Sequence, residues 1–179
     1  MERDKVEITL SGSGGQGLIL AGLVLADAAG IEEGYEIIQT VEYGPEARLG
    51  TSRSDVIISK KLISYPKVVH PDVLVTLSQG AYDKFSGIVK KGGLLIIDTF
   101  HVKEFGKKPE GVEVIALPFT EMVRDKIGTP LVLNMFVLGF LNKKLELVKL
   151  DSLFKAIDRR VKKYNDLNKQ AVKEGYTFE

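Results

Sequence analysis

The chain has 179 residues, 44% of them hydrophobic and 27% charged, with 25 Lys and Arg against 24 Asp and Glu for a formal net charge of +1. These proportions exclude a disordered chain and predict one compact domain over residues 1–179, while the near-neutral charge offers no global field to draw in nucleic acid or an anionic membrane. Cysteine is absent, which removes disulfides, thiolate metal sites, cysteine nucleophiles and cysteine-ligated iron–sulfur clusters from this chain.

In chain order, the opening MERDKVEITL is charged and runs straight into a strand-like segment. That differs from the basic and then apolar layout of a signal peptide, so the expected location is cytoplasmic. Apolar runs suited to buried strands fall at Val6–Leu10, Glu36–Val41, Val56–Ile58, Val73–Leu77, Leu94–Ile97 and Val112–Leu117. Helical spacing between them, at Leu18–Ala29, Ala81–Val89 and Phe119–Ile127, predicts a doubly wound, Rossmann-like α/β fold with a mostly parallel sheet. SDVIIS and KLISYP lie too close for an intervening helix and predict an edge hairpin. Thr129 and Pro130 have the chemistry of an N-cap and a first helical residue. The apolar LVLNMFVLGFL that follows is eleven residues long, a core helix rather than the roughly 20 residues of a membrane span. From Leu153 to Ala171 an apolar stripe predicts one long C-terminal helix ending at Gly175, its many lysines forming a solvated face.

Gly12, Gly14 and Gly17 spell G-x-G-x-x-G between the first strand and the first helix. In that context the backbone N–H groups and the helix dipole suit a phosphate. A P-loop is excluded, because Leu18 and Ile19 stand where Lys and Ser or Thr are needed. Two readings stay open. Glu42, 25 residues after Gly17, could meet a ribose in an NAD-binding dehydrogenase; alternatively the glycines only let Ala21, Gly22 and Ala26 pack tightly on the sheet, and the turn binds nothing. Of the remaining polar residues, Asp98 ends a strand at the carboxyl edge of the sheet, where open α/β folds bind ligands, and is a site candidate beside a loop or cap role; Ser78, Gln79 and Gly80 suit the start of a helix, and Asn134 the satisfaction of buried groups. His70 and His101 have no ligand-spaced partners. No nucleophile elbow or His-Glu-x-x-His motif is present.

The loop VEYGPEARLGTSRSDVIIS crowds Tyr43, Glu46, Arg48 and Arg53 into a Gly- and Pro-bounded segment. With GSGGQG before it, YPKVVHPDVLVTL after it, the turn PFTE at 118–121 and the Asn134 helix, it resembles the gamma subunit of the 2-oxoacid:ferredoxin oxidoreductases, most nearly the 2-oxoglutarate branch. The resemblance implies a subunit that does not catalyse alone. The complex oxidatively decarboxylates a 2-oxoacid to an acyl-CoA and reduces ferredoxin, with thiamine diphosphate, Mg²⁺ and iron–sulfur clusters held by alpha, beta and ferredoxin-like delta partners. It also implies that this chain assists coenzyme A binding. The residues carried over to that role are Gly12, Ser13, Gly14, Gly15, Gln16 and Gly17 for close backbone approach, with Tyr43, Glu46, Arg48 and Arg53 at the cleft mouth or a subunit contact.

Overall fold

A computed structural model describes residues 3–44, 50–106 and 109–178. Six strands form one sheet: β1 (Lys5–Ser13), β2 (Glu36–Tyr43), β3 (Thr51–Ser59), β4 (Val73–Thr76), β5 (Leu94–Asp98) and β6 (Glu113–Leu117), in the order β2-β3-β1-β4-β5-β6. The pairs β1–β4, β4–β5 and β5–β6 are parallel, and β3 alone runs against its neighbours β1 and β2. The sheet is therefore mixed and mostly parallel, as the alternation of segments predicts. The edge hairpin is there too, but it joins β2 to β3. Residues 61–66 form no strand, because β3 finds β1 on one side and β2 on the other and has no edge left for KLISYP.

Helices cover both faces: α1 (Leu18–Asp27), α2 (Gln79–Phe85), α3 (Phe119–Ile127), α4 (Leu133–Leu145), α5 (Leu150–Arg160) and α6 (Asn165–Tyr176). Strand alternation decides which face meets which helices. Val6, Ile8 and Leu10 of β1, with Val73, Val75, Leu94 and Ile96, turn toward the larger core under α1, α3, α4 and the C-terminal helices. Leu74, Leu95 and Ile97 turn the other way, onto Ala81, Tyr82 and Phe85 of α2. Burial on both faces explains why β4 and β5 read as unbroken apolar runs.

Thr129 caps as its sequence suggests: its hydroxyl accepts from the N–H of Leu131 at 3.3 Å, and a 3₁₀ turn, Pro130–Val132, leads into α4. α4 is buried from Leu133 through Asn142. The long C-terminal helix, by contrast, is two helices. α5 ends at Arg160, Val161 is extended, and Tyr164 takes a left-handed φ of 57° before α6 begins. α5 lies along α1 and α6 along α4, so one straight rod could not bury both apolar stripes; the Asn165 amide closes the break by donating to the carbonyls of Ile157 and Val161. Gly175 is the penultimate residue of α6, which ends one residue beyond it at Tyr176. Among the described residues no helix is long and apolar enough to cross a membrane.

Candidate functional site

α1 leaves β1 toward the larger core, and α2 leaves the neighbouring parallel strand β4 toward the smaller one. The sheet's topological switch point therefore lies between the carboxyl ends of β1 and β4, where open α/β folds hold their ligands. The glycine turn stands at that point. Gly15 (φ 93°) and Gly17 (φ 72°) adopt left-handed conformations that other residues enter only with strain.

What fills the space the glycines leave is the protein itself. A Cβ on Gly12 would run into Gln16 Oε1 and lie 2.7 Å from Leu18 Cδ1; one on Gly17 would lie 2.6 Å from Asn134 Nδ2; one on Gly22 would overlap Ser54 Oγ and lie 2.8 Å from Gln39 Nε2. The packing explanation thus accounts for Gly12, Gly17 and Gly22. Among the described residues, a Cβ on Gly15 would meet nothing within 4 Å, and one on Gly14 would meet only the Gly50 carbonyl, at an ordinary 3.6 Å.

The amide hydrogens follow the same division. Ser13 N–H donates to Gln16 Oε1 at 2.7 Å, Gly14 N–H to the Gly50 carbonyl at 2.9 Å, and Gln16 N–H to the Ser13 carbonyl at 3.2 Å. Gln16 Nε2 then donates to the Leu77 carbonyl at 2.8 Å, just beyond β4. The turn is not the bare N–H cradle that the fingerprint suggests. Among the described residues, Gly15 and Gly17 keep N–H groups without an intramolecular partner.

Two clefts meet at the Gly14–Gly15 ridge. One, of about 360 Å³, runs from Ser13–Gln16 past His101 and Thr120 to Pro130, Leu131 and Leu133. The other, of about 400 Å³ and mostly apolar, runs along Leu18–Leu20 and Leu23 to Tyr43 and Ser52. Tyr43 is 70% exposed beside the second cleft. Glu46 and Arg48 lie outside the described residues.

Arg53 does not join them. It pairs in register with Ser11 and Glu42 and shares their face, the one opposite α1. There its Nε donates to Asp55 Oδ1 at 2.8 Å, its Nη2 to the Val68 carbonyl at 2.8 Å, and its guanidinium lies 5.3 Å from the Phe85 ring centre. Asp55 also accepts from the Thr9 hydroxyl at 2.6 Å, so Arg53 is held by its own scaffold. Glu42 is on that face too, 3.3 Å from Lys84 Nζ, and β3 separates its strand from β1. The ribose-binding geometry of the NAD alternative is therefore absent.

Asp98, at the end of β5, is fully buried. Its carboxylate accepts from Phe100 N–H at 3.2 Å, from Thr120 N–H at 3.3 Å and from the Thr120 hydroxyl at 2.5 Å, anchoring the start of α3. Ser78 caps α2, its hydroxyl accepting from Ala81 N–H at 3.3 Å. His70 Nδ1 lies 3.2 Å from the Ile88 carbonyl. Sequence reasoning missed Thr120, Pro130 and Leu131 as cleft walls. Their only advance signals were the strand end at Asp98 and the Thr-Pro helix start. At the far end of α1, Asp27 binds Arg160 through two hydrogen bonds, of 2.7 and 2.8 Å, which with its charge raise the pKa of the guanidinium.

A family model described as pyruvate ferredoxin/flavodoxin oxidoreductase matches residues 7–178. The 2-oxoglutarate synthase subunit KorC of Methanocaldococcus jannaschii is 44% identical over 172 residues, covering 95% of this chain and 91% of that one. The keto/oxoacid ferredoxin oxidoreductase gamma subunit of Geobacter sulfurreducens superposes with a TM-score of 0.82 at 36% identity, over 96% of both chains. A 2-oxoglutarate:ferredoxin oxidoreductase from Magnetococcus marinus, solved with 2-oxoglutarate, coenzyme A and succinyl-CoA bound, gives a TM-score of 0.84 over 97% of this chain and 31% of that one. At 21% identity that last likeness is one of fold.

Proposed function

The chain belongs to the pyruvate ferredoxin/flavodoxin oxidoreductase family, and from that premise we propose that it is the gamma subunit of a 2-oxoglutarate:ferredoxin oxidoreductase acting in the cytoplasm. Residues 1–179 form a single gamma-type domain in this reading. The observation that carries it is coextension: the match to a 2-oxoglutarate synthase subunit runs at 44% identity over 91% of that subunit, so the similarity is to a whole polypeptide and not to one borrowed motif.

The residues fit a supporting role. The chain has no cysteine to hold an iron–sulfur cluster, and among the described residues no group of three or more His, Asp or Glu could hold a metal ion. Thiamine diphosphate, Mg²⁺ and the clusters belong, in this proposal, to alpha, beta and delta partners, which pass electrons to ferredoxin. Coenzyme A would supply the thiol that accepts the acyl group. This chain would meet it at the Gly14–Gly15 ridge, with the free N–H groups of Gly15 and Gly17 toward its negative groups, Ser13 and Gln16 in the cleft on one side and Tyr43 in the cleft on the other. Glu46 and Arg48 belong to the same contact by sequence. Gly12 and Arg53 support it from within, Gly12 by making room for Gln16 and Arg53 by bracing β3.

The test is affinity purification of the tagged chain from its native host. The expected result is co-recovery of larger thiamine- and iron-containing chains, with 2-oxoglutarate-dependent viologen reduction that requires coenzyme A. Recovery of the chain alone, or a complex equally active without it, would overturn the assignment.

A further inference from the structure

The crevice between the ends of β1 and β4 already has an occupant. Gln16 places its carbonyl oxygen on the Ser13 N–H and its NH₂ on the Leu77 carbonyl, at 2.7 and 2.8 Å, so one primary amide satisfies a donor from the first strand's end and an acceptor from the fourth's. Gly12 is free of a Cβ because that amide needs the room. Leu77 N–H in turn donates to the Ser11 carbonyl at 2.9 Å, which fixes the two strand ends against each other on either side of the amide. The first glycine of the fingerprint is the position expected to admit tight bending ahead of a pyrophosphate. Here it admits a side chain from four residues further along.

We propose that Gln16 is a specificity-determining residue that excludes the pyrophosphate of a dinucleotide from the switch-point crevice. The amide satisfies the N–H an anion would use, and its own NH₂ is committed to a carbonyl, so an incoming phosphate must break two hydrogen bonds before it makes one. Ligands are thereby confined to the open Gly14–Gly15 ridge and the start of α1, where N–H groups without an intramolecular partner among the described residues, those of Gly15 and Gly17 among them, remain. This inference rests on the geometry of the turn alone and does not depend on the gamma-subunit reading; failed co-purification would leave it standing.

The experiment is calorimetric titration of the full chain with inorganic pyrophosphate and with NAD, for the wild type, Gln16→Ala and Gln16→Asn, whose amide is one methylene too short to span both partners. Circular dichroism confirms that each variant is folded. The wild type should bind pyrophosphate and NAD weakly, through the ridge alone, and the variants should bind pyrophosphate about tenfold or more tightly than the wild type does. Folded variants that bind pyrophosphate no more tightly than the wild type would overturn the proposal. So would a wild type that binds pyrophosphate and loses it on Gln16→Ala. Hydrogen exchange decides the matter without any variant: Ser13 N–H should exchange slowly and be unmoved by pyrophosphate, and a pyrophosphate-dependent change there would sink the idea.

Discussion

Asn134, in the buried stretch of α4, donates from Nδ2 to the carbonyl of Gly17 at 2.9 Å across 117 residues of sequence, so the last glycine of the turn is gripped by the helix behind it. Gly17→Ala would place a methyl 2.6 Å from that amide and force alanine into φ 72°. The left-handed conformation alone costs about 1–2 kcal/mol. A loss of about 2–4 kcal/mol is expected once the displaced amide is added. Urea unfolding of Gly17→Ala, Asn134→Ala and the double variant separates the two parts: the double variant should recover the steric part and keep the backbone part. Full recovery would show that the conformation carries no strain.

α4 and α6 touch backbone to backbone. A Cβ on Gly139 would collide with the Val172 carbonyl, and one on Gly175 with the Phe136 carbonyl, neither of which can rotate aside. Gly139→Ala or Gly175→Ala should therefore each cost about 3 kcal/mol, at the upper end of overpacking penalties. Gly87→Ala is the control, since nothing lies within 4 Å of its Cβ position. It should be neutral or stabilise by about 0.5 kcal/mol through the unfolded state. Equal effects at the three sites in thermal unfolding would contradict the close helix contact.

Strand existence was legible because burial on both faces leaves an apolar run, as in LLIID and VLVT, whatever the partner order. Partner order was not. Nothing local in VEYGPEARLGTSRSDVIIS says that β3 slips between β1 and β2; that insertion carries Glu42 away from the glycine turn, while strand alternation turns Arg53, paired with Ser11, onto the face opposite α1. The family could be read because several ordered motifs coincide along the chain, whereas the single fingerprint did not say what its glycines make room for. Glycine at positions 12, 17 and 22 reports close approach, and the sequence does not say whether the visitor is a ligand or, as here, Gln16, Asn134 and Ser54. The break at residues 161–164 escaped for a similar reason: the helical period continues through it while the helices being covered change from α1 to α4.

Asp27 has a side chain only 7% exposed and takes both hydrogen bonds of Arg160, with Arg159 Nη1 3.6 Å away. Arg160→Ala leaves that carboxylate with the looser partner, and removing the half-exposed partner of a shielded carboxylate is costly because the carboxylate stays behind. The expected loss is about 2 kcal/mol, below the full range for buried pairs because Arg159 remains. Asp27→Asn with Arg160→Ala should lose less than the sum of the single changes. Additive losses in a double-mutant cycle would mean that the pair is not coupled.

Asp158 on α5 and Lys169 on α6 join the two helices across the break, 2.6 Å apart. The hydrogen bond from Lys169 is the main reason the Asp158 carboxyl titrates below its ordinary value. A carboxyl depressed in the folded state stabilises above its unfolded pKa, and that contribution disappears as pH falls through the folded value. Lys169→Gln should move the Asp158 titration upward, read by NMR of the side-chain carboxyl carbon. The gap in stability between wild type and variant should be open at neutral pH and close on acidification. High salt should narrow it at every pH, because both groups are solvated. A titration that stays in place on Lys169→Gln would mean that the α5–α6 junction is held by the Asn165 amide and apolar packing alone.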